Sequence, residues 1–286
     1  SLRDLKVVVD AGSGTAGVFM MELAERAGFT MIPLFLEPDG NFPYHHPSPI
    51  EPKNTIDMRN KVVEIGADLG VAYDGDADRM YICDETGVMF SGTVTTAIIA
   101  SIFLQRHKGE KVIYNAVCGD MVPETIHMNG GVPLIEKVGH VYIKEAMSKD
   151  LSICFGGEHS GHYYFRENNN ADSGAIAFMT VFASICTSGK KTSELRKAFE
   201  RYPQISETNF AVTDTSAMIF SLKEKYQDGE YTELDGLTIR YPDYWFNVRP
   251  SSNEPLLRLN LEAKSEEILQ EKFAELQGFF RGSVSA

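Results

Sequence analysis

The sequence has few cysteines, and none of them stands close to another. They lie far apart in apolar surroundings, which excludes the C-x-x-C pairs of zinc and redox sites and gives no framework for a disulfide-rich fold. We therefore predict reduced, mostly buried thiols, as is usual for a cytoplasmic protein. The cysteines are Cys83, Cys118, Cys154 and Cys186.

Long apolar runs are missing as well. The longest uncharged apolar segment, Gly174 to Gly189, is shorter than the roughly 20 residues that span a bilayer. Residues Ser1 to Asp10 lack the basic and apolar regions of a signal peptide. The sequence therefore predicts a buried helix at 174–189, no membrane partner and a cytoplasmic location.

Positive charge is scarce, because 27 lysines and arginines stand against 40 aspartates and glutamates, giving a net charge of −13. Such a surface repels nucleic acids and anionic membranes. We predict no nucleic-acid partner. We also expect any phosphate ligand to be bound by locally concentrated arginine, lysine and backbone N–H groups.

With 43% hydrophobic and 23% charged residues, the composition is that of a globular protein. A length of 286 residues is enough for two or three domains. Apolar strands alternate with helices in two successive units, and beyond about Tyr202 the strands follow an antiparallel pattern. We predict two consecutive α/β domains with mixed sheets, at 1–90 and 91–204, and a smaller α+β C-terminal domain at 205–286.

One loop concentrates the charge of the first unit. Asp74, Asp76 and Asp78 alternate with glycine and alanine between two short apolar strands, and Arg79 follows. The small spacers let the backbone curl until the carboxylates converge. Three anionic oxygens at one centre suit a hard divalent cation, so we predict a Mg²⁺ site. Arg79 then supplies a fixed cation for a phosphoryl group.

Two other interpretations of this loop compete with the metal site. With Glu85 at its twelfth position the segment imitates a calcium loop, but Arg79 occupies the sixth position, where the sharp turn requires glycine. A solvated acidic turn is the simpler alternative. The alternating spacing, the small spacers and the neighbouring arginine favour the metal site.

A second glycine-rich stretch, Gly12 to Gly17, has the G-x-G-x-x-G pattern between an apolar strand and a helix, with Glu37 about 20 residues later. This pattern is typical of dinucleotide binding and also of a tight strand-to-helix turn. We favour the turn, because Asp10 places a carboxylate where a pyrophosphate would lie. The proline-rich loop that follows contains His45 and His46, which lack a third metal ligand and are predicted to line the surface or a cleft.

A third loop follows the strand predicted at 151–155 in the second unit. Glu158 can accept hydrogen bonds from sugar hydroxyls, Ser160 can donate and accept, and the histidines can contact phosphate or move protons. A simple glycine turn is the alternative, but the loop's place at a strand's carboxyl end favours a ligand site. The candidate residues are Gly157, Glu158, His159, Ser160 and His162.

A fourth loop lies between two strands of the C-terminal domain. One arginine, two hydroxyls, an amide and several backbone N–H groups in a tight turn can hold a phosphate. An ordinary serine- and proline-rich hairpin loop is the alternative. The candidate residues are Arg249, Ser251, Ser252 and Asn253.

Taken together these stretches resemble the α-D-phosphohexomutases, and most closely the bacterial phosphomannomutase/phosphoglucomutase group. VVVDAGSGTAG, DGNFPYHHPSP, DGDADR, GEHSGH and RPSSNEP follow the family's pattern in register over nearly the whole chain. The resemblance implies a four-domain enzyme that moves phosphate between the 1- and 6-positions of a hexose. It does so through a phosphoserine and a bisphosphorylated intermediate.

The resemblance also implies roles for the candidate residues. The three aspartates of the DGDADR loop would bind Mg²⁺, and Arg79 would lie beside the transferred phosphoryl group. Glu158 and Ser160 would hold the 3- and 4-hydroxyls that glucose and mannose share, while the RPSSNEP loop would hold the non-reacting phosphate. His140, in a segment like the family's Gly-His segment, is a candidate for phosphate contact or proton transfer. A plain helix-start histidine is the alternative.

The sequence departs from the family in one important respect. No Thr-Ala-Ser-His-Asn-Pro type loop, which carries the phosphorylated serine, occurs between Ser1 and Ala286. We therefore expect domains two to four of a mutase, which bind hexose phosphates but do not turn over alone. In addition, Val117 stands where some relatives have a basic residue, and Asn253 replaces a usual threonine.

Two alternatives stay open at this point. A non-catalytic phosphosugar-binding module would have the same sequence features. A metal-dependent phosphatase with Asp74 as its nucleophile is less favoured, because three clustered acids suit metal binding better than nucleophilic attack.

Overall fold

The computed structural model describes residues 5–251 and 256–282. The chain forms two compact units. The first runs to Glu200 but leaves out residues 135–138, and the second comprises those residues and the chain from Arg201 onward.

The first sheet is built around a strand that is buried on both faces. Val7, Val8 and Val9 are all 0% exposed, as a β-branched run in a parallel strand requires. The strand order is β2-β1-β3-β4, in which β1 is parallel to both of its neighbours and β4 is antiparallel to β3. The elements are β1 (Lys6–Asp10), α1 (Ala16–Ala27), β2 (Thr30–Leu34), α2 (Ile56–Ile65), β3 (Leu69–Tyr73) and β4 (Met80–Asp84).

The second sheet has the order β6-β5-β7-β8-β9, with β5 parallel to β7 and the last two strands antiparallel. Because Tyr114 pairs with Gly157, the residues that follow β5 and β7 meet at one edge. The elements are α3 (Gly92–Arg106), β5 (Lys111–Asn115), α4 (Met121–Met128), β6 (Val132–Glu136), α5 (His140–Lys149), β7 (Ile153–Gly157), β8 (Tyr163–Phe165), β9 (Ala171–Asp172), α6 (Gly174–Ser188) and α7 (Thr192–Phe199).

Helix α6 begins and ends as its sequence predicts. Ser173 accepts a hydrogen bond from the backbone N–H of Ile176, and Gly189 closes the helix in a left-handed conformation with φ of 68°. The predicted buried helix is buried along one face, where Phe178 and Phe182 are 0% exposed, while Ile176 is 36% exposed. In the part of the chain that the structure describes, no helix is both long and apolar enough to cross a membrane.

Helix α7 was not predicted, because its buried face is polar. Arg196 donates from Nε to Oδ2 of Asp84 at 2.8 Å, and Ser193 donates from both its backbone N–H and its hydroxyl to Glu85. Thr192 donates its hydroxyl to the carbonyl of Asp68. The helix is therefore held against the first sheet by hydrogen bonds and charge.

The second unit contains an antiparallel sheet in the order β10-β14-β13-β12-β11, covered by two helices. Leucine and phenylalanine side chains of the sheet and of the last helix form its core, with Phe246 and Leu259 both 0% exposed. This antiparallel domain and the mixed sheets before it confirm the predicted fold class. The elements are β10 (Thr208–Ala211), α8 (Thr215–Lys225), β11 (Glu230–Thr232), β12 (Leu237–Arg240), β13 (Tyr244–Pro250), β14 (Leu256–Ala263) and α9 (Glu266–Gly282).

All four cysteines are free thiols in buried positions, as predicted. Burial raises the pKa of the Cys83 thiol to about 12 and that of Cys154 to about 11, so both stay protonated and unreactive at neutral pH.

Candidate functional site

The predicted metal loop leaves the carboxyl end of β3 and gathers its carboxylates as expected. Asp74, Asp76 and Asp78 each offer an oxygen, and these oxygens lie within 4.8 Å of one another. Asp74 is buried, Asp78 is half-buried and Asp76 is exposed. The curl depends on Ala77, whose φ of 63° lies in the left-handed region at a cost of about 1 kcal/mol. The geometry can hold a divalent cation.

Arg79 completes the loop by pairing with its first aspartate. The Nε atom of Arg79 lies 2.6 Å from Oδ2 of Asp74, and the backbone N–H of Arg79 donates to Oδ1 at 3.1 Å. Burial raises the pKa of the Asp74 carboxyl to about 6, even though Arg79 acts to lower it. The two terminal guanidinium nitrogens of Arg79 make no hydrogen bond within the described residues.

The metal loop, residues 74–79, is joined to the loop at 157–162 that follows β7 in the second sheet. Arg79 forms an isolated antiparallel bridge with His162, and the N–H of Met80 donates to the carbonyl of Gly161. The Nε2 atom of His162 lies 3.6 Å from Oδ2 of Asp78, and its Nδ1 lies 3.0 Å from the hydroxyl of Ser160. The structure therefore brings two of the predicted sites together.

The contact between Asp78 and His162 shifts the pKa of each. The close contact with His162 lowers the pKa of the Asp78 carboxyl below its ordinary value. Burial acts to lower the pKa of His162, but Asp78 and the charge of Glu158 outweigh it, so that pKa is raised. The other carboxylate oxygen of Asp78, Oδ1, is buried and has no hydrogen-bond partner within the described residues.

Glu158 is more enclosed than its predicted role suggests. It is 1% exposed, and its Oε2 accepts hydrogen bonds from the Nδ2 of Asn115 and the N–H of Gly139, both at 3.1 Å. Its Oε1 accepts from the hydroxyl of Tyr164. Sequence reasoning missed Asn115 and Tyr164, although a polar residue at the end of the apolar strand β5 was a usable signal. The contact of Glu158 with sugar hydroxyls stays a prediction.

The two other histidines of the prediction lie near this loop. His140 is exposed as the first residue of α5, and its ring centroid is 6.5 Å from that of His162. The carbonyl of His159 accepts a hydrogen bond from the hydroxyl of Tyr81 at 3.1 Å. The roles assigned to these histidines in phosphate contact or proton transfer stay predictions.

Asp172 is a neighbour of the site that the sequence did not identify. Asp172 does not cap α6, because Ser173 does so. Instead its Oδ1 lies 2.9 Å from the Nζ of Lys144. Asp172 can also offer an oxygen within 4.8 Å of the ligand atoms of Asp78 and His162. The charged cluster around His162 therefore extends from the metal loop to β9.

The G-x-G-x-x-G stretch has a structural explanation in close backbone contacts. A Cβ atom added at Gly14 would lie 2.6 Å from the carbonyl oxygen of Gly75, and one at Gly17 would lie 1.8 Å from that of Leu36. The N–H of Thr15 donates to the same Gly75 carbonyl at 2.9 Å. The glycines thus allow the backbone of this turn to pack directly on the metal loop. This contact favours the interpretation as a strand-to-helix turn over that as a dinucleotide-binding motif.

His45 is not a free surface residue, because its Nε2 lies 3.1 Å from Oδ2 of Asp10. The hydrogen bond with Asp10 outweighs burial and raises the pKa of His45, with a smaller contribution from the charge of Asp57. His46 is exposed. The prediction of a surface or cleft-lining position therefore fits His46 better than His45.

The pKa of His45 gives a direct test of this pair. We expect its imidazole to titrate above the ordinary value of 6.5, and Asp10→Asn to bring the pKa down. The pair stabilises the protonated imidazole of the folded protein, which is why the pKa of His45 is raised. Its contribution to stability is therefore complete below the pKa of the unfolded state and is lost as the pH rises through the pKa of the folded state. NMR titration of the His45 ring protons in the wild type and in Asp10→Asn measures both pKa values. Identical His45 titration in both proteins would contradict the pairing.

The fourth loop belongs to the second unit. A terminal nitrogen of Arg249 lies 3.0 Å from Oε2 of Glu207, while its Nε is buried without a hydrogen-bond partner within the described residues. The N–H of Ser251 donates to the carbonyl of Leu256 at 2.8 Å. Ser252 and Asn253 lie outside the described residues. The phosphate-binding role of this loop stays a prediction.

Comparison with known families matches three successive stretches of the chain. Residues 1–87 match the phosphoglucomutase/phosphomannomutase alpha/beta/alpha domain II, residues 91–202 match its domain III, and residues 207–277 match its C-terminal domain. A phosphomannomutase of Methanocaldococcus jannaschii is 36% identical over 274 residues, which are 96% of this chain and 61% of that protein. The chain thus spans about three-fifths of the length of this relative.

Solved structures have the same fold. A phosphoglucomutase/phosphomannomutase family protein of Burkholderia thailandensis superimposes with a TM-score of 0.88 at 29% identity, over 99% of this chain and 62% of that one. The N-acetylphosphoglucosamine mutase of Aspergillus fumigatus, solved with GlcNAc-6P and magnesium, gives a TM-score of 0.64 at 15% identity over 99% and 63% of the two chains, which supports the fold alone. Three domain models of the phosphoglucomutase/phosphomannomutase family match successive stretches of the sequence, and the chain therefore belongs to that family.

Proposed function

We propose that the chain is the metal- and sugar-phosphate-binding part of a phosphohexomutase that interconverts hexose 1-phosphate and hexose 6-phosphate with Mg²⁺. The observation that carries the proposal is the loop after β3, where three carboxylates converge beside an arginine whose terminal nitrogens make no hydrogen bond within the described residues. Family membership supplies the reaction class, and this geometry supplies the chemistry that phosphoryl transfer needs.

The donor set of the loop fits Mg²⁺. Asp74, Asp76 and Asp78 offer only oxygens, which hard divalent cations prefer. The buried Oδ1 of Asp78 has no hydrogen-bond partner within the described residues, although the Nε of Arg79 lies 3.8 Å away, and such an atom is costly to leave unsatisfied. When bound, Mg²⁺ neutralises the charge that develops on the transferred phosphoryl group. The Aspergillus relative binds this metal.

The chain's own residues would orient the phosphoryl group and the sugar hydroxyl. Arg79, fixed through its Nε to Asp74, directs its terminal nitrogens at phosphoryl oxygens. His162 is fixed through its Nδ1 to Ser160, so its Nε2, which faces Asp78, is the atom at which a proton is held or given up. The residues flanking the metal therefore supply both positive charge and a proton carrier.

Sugar recognition would come from the second sheet, and the loop of the second unit is proposed separately as a phosphate-binding element. Glu158 and Ser160 hold the 3- and 4-hydroxyls, which glucose and mannose share, so both sugars are accepted. The loop of the second unit holds the non-reacting phosphate. In this loop Arg249 contributes a buried Nε that has no hydrogen-bond partner within the described residues. The phosphate ligands of this loop are Arg249, Ser251, Ser252 and Asn253.

The metal site is tested by removing one ligand charge at a time. We expect Asp76→Asn and Asp78→Asn each to weaken Mg²⁺ or Mn²⁺ binding by at least about 10-fold, because each removes an anionic oxygen from the site. Isothermal titration measures the affinity. Asp57→Asn, which removes the same charge from an exposed helical position, is the matched control and should bind as the wild type does. Equal weakening in all three variants would indicate only a general charge effect.

The activity is tested on the protein from its native source. Glucose 1-phosphate and mannose 1-phosphate, each with a trace of the 1,6-bisphosphate, should be converted to the 6-phosphates if the protein is a mutase. Binding without conversion would support the second candidate, a non-catalytic phosphosugar-binding module. Release of inorganic phosphate would support a phosphatase.

A further inference from the structure

The strand β1 and the proline-rich loop meet behind the metal loop, at residues to which the proposed function gives no role. Asp10, at the end of β1, is 0% exposed. Its Oδ1 accepts a hydrogen bond from the N–H of Gly12 at 2.9 Å, and the Nε2 of His45 lies 3.1 Å from its Oδ2. The other ring nitrogen of His45 lies 3.0 Å from the carbonyl oxygen of His46. The imidazole is thus held at both nitrogens.

The turn that Asp10 holds is in direct contact with the metal loop. The N–H of Thr15 donates to the carbonyl of Gly75 at 2.9 Å. At Gly14 the two backbones come so close that an added Cβ would lie 2.6 Å from the oxygen of Gly75 and 3.0 Å from that of Asp74. Because Gly75 stands between two of the three carboxylates, a shift of this turn moves both of them.

The loop that carries His45 also reaches the metal loop on its own. A Cβ at Gly12 would lie 3.5 Å from Pro47, and a Cβ at Gly75 would lie 3.6 Å from the ring of the same proline and 3.6 Å from Phe42. Pro47 is buried. The pair therefore fixes two neighbours of the metal loop at once, namely the glycine turn and the proline that packs beside it.

We propose that Asp10 and His45 are positioning residues of the metal site, which hold the glycine turn at 12–15 against Gly75 and so set the spacing of the three carboxylates. This inference rests on the proposed function, in that the loop is taken to bind Mg²⁺. Neither residue is placed as a ligand. Their effect passes through backbone hydrogen bonds, and partners of this kind outside the ligand shell commonly change metal affinity by about 10–100-fold.

The test compares His45→Leu, His45→Gln and His46→Leu. Leucine removes the hydrogen bond to Asp10, glutamine can place a donor near the position of Nε2, and His46 is the exposed neighbour. We expect Mn²⁺ affinity to fall about 10-fold in His45→Leu, to return to within about 3-fold of the wild type in His45→Gln, and to be unchanged in His46→Leu. Equal affinities in His45→Leu and the wild type would overturn the proposal.

Hydrogen exchange followed by mass spectrometry provides a readout that does not need the metal. We expect faster exchange in His45→Leu for peptides covering 11–19 and 70–80, with the second sheet unchanged. If the wild type binds no metal, the proposed function loses its metal site, but hydrogen exchange still tests the inference. Unchanged exchange at 70–80 in His45→Leu would overturn it.

If His45→Leu does not fold, Asp10→Asn serves instead, because it removes the charge and keeps an acceptor for Gly12. We expect the same exchange pattern in that variant, and its absence would also overturn the proposal.

Discussion

Replacing Arg196 with alanine is expected to lower the free energy of unfolding by about 3–5 kcal/mol, the usual result of leaving a buried charge without its partner. Arg196 is 6% exposed and Asp84 is 0% exposed. The carboxylate of Asp84 also accepts hydrogen bonds from Thr86 and from the N–H of Val88, so it cannot turn toward solvent when the arginine is removed. Urea denaturation followed by circular dichroism measures the loss.

Two further variants make this test specific. Lys197→Ala removes the same charge from the same helix at an exposed position and should change stability by no more than about 0.5 kcal/mol. The double variant Asp84→Asn with Arg196→Met should recover part of the loss, because it leaves no buried charge unpaired and the asparagine carbonyl oxygen can still accept from Thr86 and Val88. Similar losses in Arg196→Ala and Lys197→Ala would show that the buried pair does not hold α7 in place.

Replacing Gly17 with alanine is expected to cost about 3 kcal/mol, the upper part of the range for overpacking, because the atoms in the way belong to the backbone. The added Cβ would lie 1.8 Å from the carbonyl oxygen of Leu36, 2.7 Å from its carbonyl carbon and 3.1 Å from its Cα. No side-chain rotation can relieve these contacts, so the segment after β2 or the start of α1 must move. The measurement is again urea denaturation.

Gly40→Ala is the matched control for this variant. Nothing lies within 4 Å of the added Cβ at Gly40, and its backbone is outside the left-handed region. The substitution should therefore be neutral or stabilise the protein by up to about 1 kcal/mol through the unfolded chain. Equal stability of Gly17→Ala and Gly40→Ala would contradict the close approach, and with it the structural explanation of the glycine motif.

The glycine motif shows why the sequence left two interpretations open. In a dinucleotide-binding turn the third glycine also allows a helix to pack closely on a strand, so both structures need the same residues at the same spacing. Only the tertiary structure shows that the space in front of Gly14 is taken by the backbone of Gly75.

Apolar periodicity predicted most elements of the fold, because buried strands and amphipathic helices require it. It failed for α7, whose buried residues Thr192, Ser193 and Arg196 are polar. The short strands β8 and β9 were also missed, since three and two residues are too few to show a period. The predicted domain boundaries at 90 and 204 stay predictions.

The sequence by itself determined the candidate metal loop, because its three carboxylates and Arg79 lie within six residues and a local turn is enough to bring them together. Only the tertiary structure decided the partners that support it. His45 meets Asp10 across 35 residues, Asn115 meets Glu158 across 43, and Arg196 meets Asp84 across 112. Such contacts depend on the order of strands in a sheet and on how helices pack against it, and neither leaves a local pattern in the chain.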